Sequence, residues 1–119
     1  MDTRDPRDPR TVAETYFRAW KARDFTTLRG ILADDVSFEG PLATLDNADA
    51  CVKGLEGMAQ ILDEIVVQHV FVDGPEVLTW FDLHTTVAPP APTANWQHVE
   101  NGRITRIRVA FDPRALTGG

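Results

Sequence analysis

Residues Thr93–Phe111 read TANWQHVENGRITRIRVAF, two alternating runs on either side of Asn101-Gly102. An Asn-Gly pair between such runs is the strongest short-range signal for a two-residue β-hairpin with a type I′ turn. Counting outward from that turn sets Glu100 opposite Arg103, Val99 opposite Ile104, His98 opposite Thr105 and Trp96 opposite Ile107. One face then carries Ala94, Trp96, His98, Thr105, Ile107, Val109 and Phe111. The other carries Asn95, Gln97, Val99, Ile104, Arg106 and Arg108. The first face is the more apolar and is expected to meet the core or a pocket. A slip of one residue would reverse this, because strand side chains alternate with a period of two.

A second strand is predicted over Val77–Val87, VLTWFDLHTTV. Leu78, Trp80, Asp82, His84 and Thr86 fall on one face, and Val77, Thr79, Phe81, Leu83, Thr85 and Val87 on the other. An acid and a histidine two residues apart, beside a tryptophan, suggest a small-molecule pocket. Their side chains would leave the strand about 6.5–7 Å apart, close enough for both to reach one bound molecule. Carboxylate and imidazole are the groups that most often move protons at neutral pH. A second orientation stays open. Phe81 and Leu83 also read as core, which would turn Asp82 and His84 toward solvent or a subunit interface.

Upstream, residues 1–8 alternate Asp, Arg and Pro and read as a flexible tail, followed by one domain over 9–116. Val12, Ala13, Tyr16, Phe17, Ala19 and Trp20 recur at helical spacing from Pro9 to about Arg23. Tyr16 and Trp20 lie on one face, as core aromatics or with their polar tips lining a cavity. Asp24 is placed to cap a short helix over Phe25–Leu32. Val36–Glu39 is a short strand closed by Gly40-Pro41, and a loop follows. Asp46 or Asn47 caps a third helix ending near Leu62, with Gly54 and Gly57 inside it. Ile65–Val72 is a long strand turned at Asp73-Gly74, and Ala88–Pro92 is a rigid connection without assignable hairpin geometry. Asp112-Pro113 ends the last strand, and the residues after it read as a frayed tail.

The bulk properties exclude several classes of function. A net charge of −6 argues against nucleic acid or an anionic membrane as partner, since phosphate binding needs a basic stripe. No apolar run approaches the roughly 20 residues of a membrane helix. The N-terminus has no apolar leader, and the lone Cys51 cannot form an intrachain disulfide, so a cytoplasmic protein is expected. Cys51 reads as a small buried hydrophobe. His69, His84 and His98 sit on three different predicted strands and match no local metal motif, so neither metal nor cofactor is expected.

Three helices followed by a curved antiparallel sheet form an α+β layout. Together with TVAETYFRAW, ARDFTTLRGILADDVSFEGP and VENGRITRIRVAFDPRAL, it resembles the SnoaL-like branch of the nuclear transport factor 2-like superfamily over residues 11–116. That resemblance implies a conical pocket between the concave sheet face and the helices, and a homodimer through the sheets' outer faces. The superfamily's chemistries carry over only in part. The steroid isomerase pattern finds its tyrosine at Tyr16, but its base position falls on Gly40 and its second acid on Ala94 or Asn95. The limonene epoxide hydrolase network falls on Phe38, Gly40, Asp82, His84 and Val109, and is absent. Polyketide cyclases use an inward acid and histidine, types that Asp82 and His84 share.

The expectation is therefore a pocket lined by Trp20, Phe38, Trp80, Trp96, Ile107 and Phe111 for a small, largely apolar molecule. Asp82 would be base or acid, His84 and His98 proton partners, and Tyr16 a donor to a developing oxyanion. Cofactor-independent isomerisation, cyclisation or dehydration would fit such a site. The alternatives are ligand binding without turnover and a dimeric protein-interaction domain.

Overall fold

A computed structural model describes residue 5 and residues 7–117. Three helices come first: α1 (Pro9–Ala22), α2 (Phe25–Gly30) and, after two short strands, α3 (Ala48–Ala59). Each begins on a side chain that accepts a hydrogen bond from an otherwise unpaired backbone N–H. Asp8 accepts from Thr11 at 3.3 Å, Asp24 from Thr27 at 3.2 Å and Asn47 from Ala50 at 2.8 Å. Asp8 is thus the cap of α1, with Pro9 in the first turn where its missing N–H costs nothing. Residues 1–4 and 6, the rest of the expected tail, lie outside the described residues.

The sheet has six strands: β1 (Leu32–Glu39), β2 (Thr44–Leu45), β3 (Leu62–Asp73), β4 (Glu76–Thr85), β5 (Ala91–Glu100) and β6 (Arg103–Ala110). Their spatial order is β2-β1-β6-β5-β4-β3. All neighbours are antiparallel except β1 and β6, which run parallel. A short C-terminal helix, α4 (Arg114–Thr117), stands where a frayed tail was expected. The first strand starts four residues earlier than Val36 because Leu32 and Val36 are both drawn fully into the core. Helix α3 is correspondingly shorter than expected and gives way to β3 at Leu62. No helix among the described residues is long and apolar enough to cross a membrane.

The Asn101-Gly102 turn forms as expected, with φ of 52° and 77° at the two residues. The register beyond it does not. Glu100 faces Arg103 and Val99 faces Ile104, but His98 faces Arg106. Thr105 is therefore an extra residue, a β-bulge, and its hydroxyl donates to the His98 carbonyl at 3.3 Å. A second irregularity lies between Val67 and His69 in β3. The Thr105 bulge sets Trp96 opposite Arg108 and Gln97 opposite Ile107. The face predicted to be buried is thereby divided. Ile107 stays inside, while Trp96 and His98 go to the outer face.

The helices cover the other, concave face. Val77, Thr79, Phe81 and Leu83 of β4 are buried there, beside Thr93, Asn95, Gln97 and Val99 of β5. Tyr16, Phe17 and Trp20 of α1 pack above them, with the Phe17 and Phe81 rings 5.1 Å apart and edge-to-face. The Trp20 indole donates to the Leu55 carbonyl at 3.0 Å, and Arg23 donates to the Ala59 carbonyl at 2.7 Å. These two bonds tie α1 to α3 and hold open the wedge of space between them and the sheet.

Candidate ligand cavity

That wedge is a cavity of about 120 Å³. Tyr16 and Trp20 enter from α1, and Cys51, Gly54, Leu55 and Met58 from α3. Phe81 and Leu83 of β4, with Thr93 and Asn95 of β5, form its floor. Phe38, the Gly40–Ala43 loop, Leu45, Val109 and Phe111 close the side nearest the first strand.

Of the residues expected at a pocket, Tyr16, Trp20, Phe38 and Phe111 line this cavity. Ile107 is fully buried, but in the core rather than at the cavity wall. The remaining candidates lie on the opposite face of the sheet. Trp80 and Trp96 are 41% and 36% exposed. Asp82 is half-buried and accepts from the Gln68 amide at 3.0 Å across β3 and β4. His84 pairs in register with Glu64. His98 lies between two carboxylates, with Nδ1 2.5 Å from Glu76 and Nε2 3.1 Å from Glu100. The acid–histidine pair therefore cannot act in this cavity. The reason is the alternation of β4, whose aromatic and aliphatic residues Phe81 and Leu83 were claimed by the helices.

Among the described residues, no carboxylate, imidazole, ammonium or guanidinium lines the cavity. Its titratable groups are Tyr16 and Cys51. Burial raises the Tyr16 phenol well above its ordinary range; the Cys51 thiol raises it further, and the Asn95 side chain partly opposes this. Burial pushes the Cys51 thiol up to about 11. Both are neutral at physiological pH. Glu39, beside the wall, points outward to Arg108 at 3.6 Å. A side chain at Gly40 would crowd the wall, since a Cβ there would lie 3.2 Å from the Phe38 ring. Among the described residues, no group of three or more His, Cys, Asp and Glu could hold a metal ion.

The polar residues buried on this face of the sheet escape the sequence reading because Asn95, at the cavity wall, and Gln97, in the core beside it, look like surface next to Trp96 and His98. A usable signal existed. Thr93, Asn95, Gln97 and Val99 share one alternation, and its ends are β-branched residues suited to a packed sheet. Asn95 is 2% exposed, and its Oδ1 has no hydrogen-bond partner among protein groups.

A curved mixed sheet wrapped around a helix-roofed apolar cavity defines a nuclear transport factor 2-like cone. Within that class the chain belongs to the SnoaL-like domain family, whose profile matches residues 13–107. A solved protein from Kribbella flavida is similar at 34% identity with a TM-score of 0.85, over 90% of this chain and 88% of its own. A nuclear transport factor 2-like protein of unknown function from Cytophaga hutchinsonii is 24% identical with a TM-score of 0.85, over 98% and 99% of the two chains. An LEH-like epoxide hydrolase from M. tuberculosis shares the fold at 23% identity with a TM-score of 0.74, over 90% and 84%. No curated protein matches the chain by sequence.

Proposed function

We propose that this chain binds a small, neutral, largely apolar molecule in the cavity and does not turn it over. One observation carries this reading: the cavity wall is apolar apart from Tyr16, Cys51, Thr93 and Asn95, and its two titratable groups are held protonated. Acid–base isomerisation, cyclisation or dehydration needs a group poised to accept a proton near neutral pH. The candidates for that role, Asp82, His84 and His98, stand on the far side of the sheet. Binding is tested by titrating small apolar compounds while following backbone amide shifts and the melting temperature. The Val109→Trp variant should fill the cavity from the wall nearest β1 and abolish binding while still folding. Ligand binding that survives unchanged in that variant would place the site elsewhere.

A specific feature favours a second copy of this chain as partner. Register sets Phe71, Leu78 and Trp96 side by side across β3, β4 and β5, with His69, Trp80 and Ala94 in the next row. These side chains face out, with Phe71 58% and Leu78 39% exposed. Glu76 accepts from the Trp96 indole, the Arg106 guanidinium lies over the Trp96 ring, Glu39 and Arg108 share a surface groove with Leu78 and Trp96, and Asp82 follows Trp80 by two residues on β4. A patch with an apolar centre and both charge signs around it can complement itself across a two-fold axis. Sedimentation equilibrium should show a dimer that Trp80→Lys converts to a folded monomer. A wild-type monomer at tens of micromolar would reject this pairing.

A further inference from the structure

We infer that the cavity selects small monocyclic aromatic compounds over saturated rings of matched volume, an inference that rests on the cavity being a binding site. The observation is the convergence of five aromatic side chains on one small space. Tyr16 and Trp20 enter from α1, Phe81 from β4, Phe38 from β1, and Phe111 from the residue after β6. The Tyr16 and Trp20 rings lie 6.3 Å apart and are tilted by 50°, so they meet the space at different angles. Phe17 braces this wall from behind. Its ring meets Tyr16 at 5.0 Å and Phe81 at 5.1 Å, both edge-to-face, and so holds a roof ring and the floor ring in place. The Trp20 indole is pinned by its bond to the Leu55 carbonyl. Three of the five rings are thus fixed by the fold, and a ligand does not have to order them.

An aromatic ring has a negative face and a positive edge, and ring pairs are stabilised when an edge meets a face or the rings stack with an offset. A ligand ring in this cavity has aromatic partners on the roof, on the floor and on the side nearest β1. It gains ring contacts that a saturated ring lacks. Cys51 and Met58 line the α3 side, and sulfur also packs favourably against aromatic rings. The hydrophobic effect acts in the other direction, because the polarised faces of an arene are better hydrated than saturated carbon. Size narrows the class further. An apolar cavity of about 150 Å³ holds benzene, which leaves no room for a second ring in a smaller one. An alkylammonium would also find ring faces, but among the described residues no carboxylate lines the cavity to balance its charge. The ligand class is a neutral six-membered aromatic ring with few or no substituents.

Benzene and cyclopentane are close in volume. NMR titration of each against the whole chain reads the difference through the methyl resonances of Leu55 and Leu83, which line the cavity. Two ring contacts predict roughly fivefold or greater preference for benzene, once each affinity is divided by that compound's partition coefficient from water into hexadecane. Phe38→Leu combined with Phe111→Leu removes the two half-buried rings and keeps an apolar wall. It should bring the corrected preference toward unity. Phe38→Leu alone is the second variant should the pair disturb folding, and it should lower the preference about twofold. Equal or weaker corrected affinity for benzene in the wild type, or a preference unchanged in a folded variant, would overturn the aromatic inference and leave the cavity reading standing. Failure of both compounds to shift the Leu55 and Leu83 methyl resonances would overturn both together.

Discussion

Gln97→Met should stabilise the protein, although it removes a polar side chain from the middle of a strand. Gln97 is 1% exposed, and neither Nε2 nor Oε1 has a hydrogen-bond partner among protein groups. Its register neighbours are Val77 on β4 and Ile107 on β6, both fully buried and both apolar. Burying an amide without partners costs about 1–3 kcal/mol by mutational measures. Methionine has nearly the same length and a soft thioether that fits the vacated space. A volume-conserving swap costs less than about 1.5 kcal/mol in strain. The net expectation is a gain near 1 kcal/mol, or a rise of about 3–6 °C in melting temperature for a domain of this size. Urea denaturation at constant m-value, with a thermal scan beside it, measures the change. A loss of about 1 kcal/mol or more would refute the reasoning. It would mean that Gln97 is satisfied in solution by a partner worth more than its burial costs.

Further expectations follow from other parts of the chain. Asn47→Ala should lower stability by about 1 kcal/mol through loss of the α3 cap, whereas Asp46→Ala should change it by less than about 0.5 kcal/mol; paired denaturation curves decide. His98 is held above its ordinary pKa by hydrogen bonds first to Glu76 and then to Glu100. Its ion-pair contribution is therefore fully present below the unfolded value near 6.5 and is lost as pH rises through the higher folded value. Glu76 works in the opposite sense. Burial raises it, but the bonds from His98 and Trp96 prevail and hold it below 4.5, so its contribution is lost as pH falls through the folded value. An NMR titration should show the His98 ring titrating above 6.5, and His98→Gln should remove the fall in stability on the alkaline side. Asp82→Asn should leave cavity binding unchanged, because Asp82 bonds Gln68 on the far face of the sheet. An altered ligand affinity in that variant would contradict the orientation of β4.

Much of the architecture is local and was legible residue by residue. Asp24 and Asn47 cap their helices because a short oxygen-bearing side chain can reach backbone donors three residues on. Asn101 and Gly102 turn the chain because both tolerate positive φ. The alternation of Val77–Thr85 and the helical spacing of Tyr16 and Trp20 are likewise periods of a single element. Which face of a strand is buried is a property of two strands and whatever covers them. Thr105 inserts one extra residue into β6, and a single residue is half the side-chain period. The hairpin count therefore reached the wrong side for Trp96 and His98, and it missed Asn95 and Gln97. Hydrophobicity favoured the same mistake, since Trp and His outweigh Asn and Gln on any apolar scale. Only the tertiary structure, by laying α1 and α3 across the concave face, decided that amides and threonines would be enclosed. The same packing left tryptophan, histidine and aspartate on the open face.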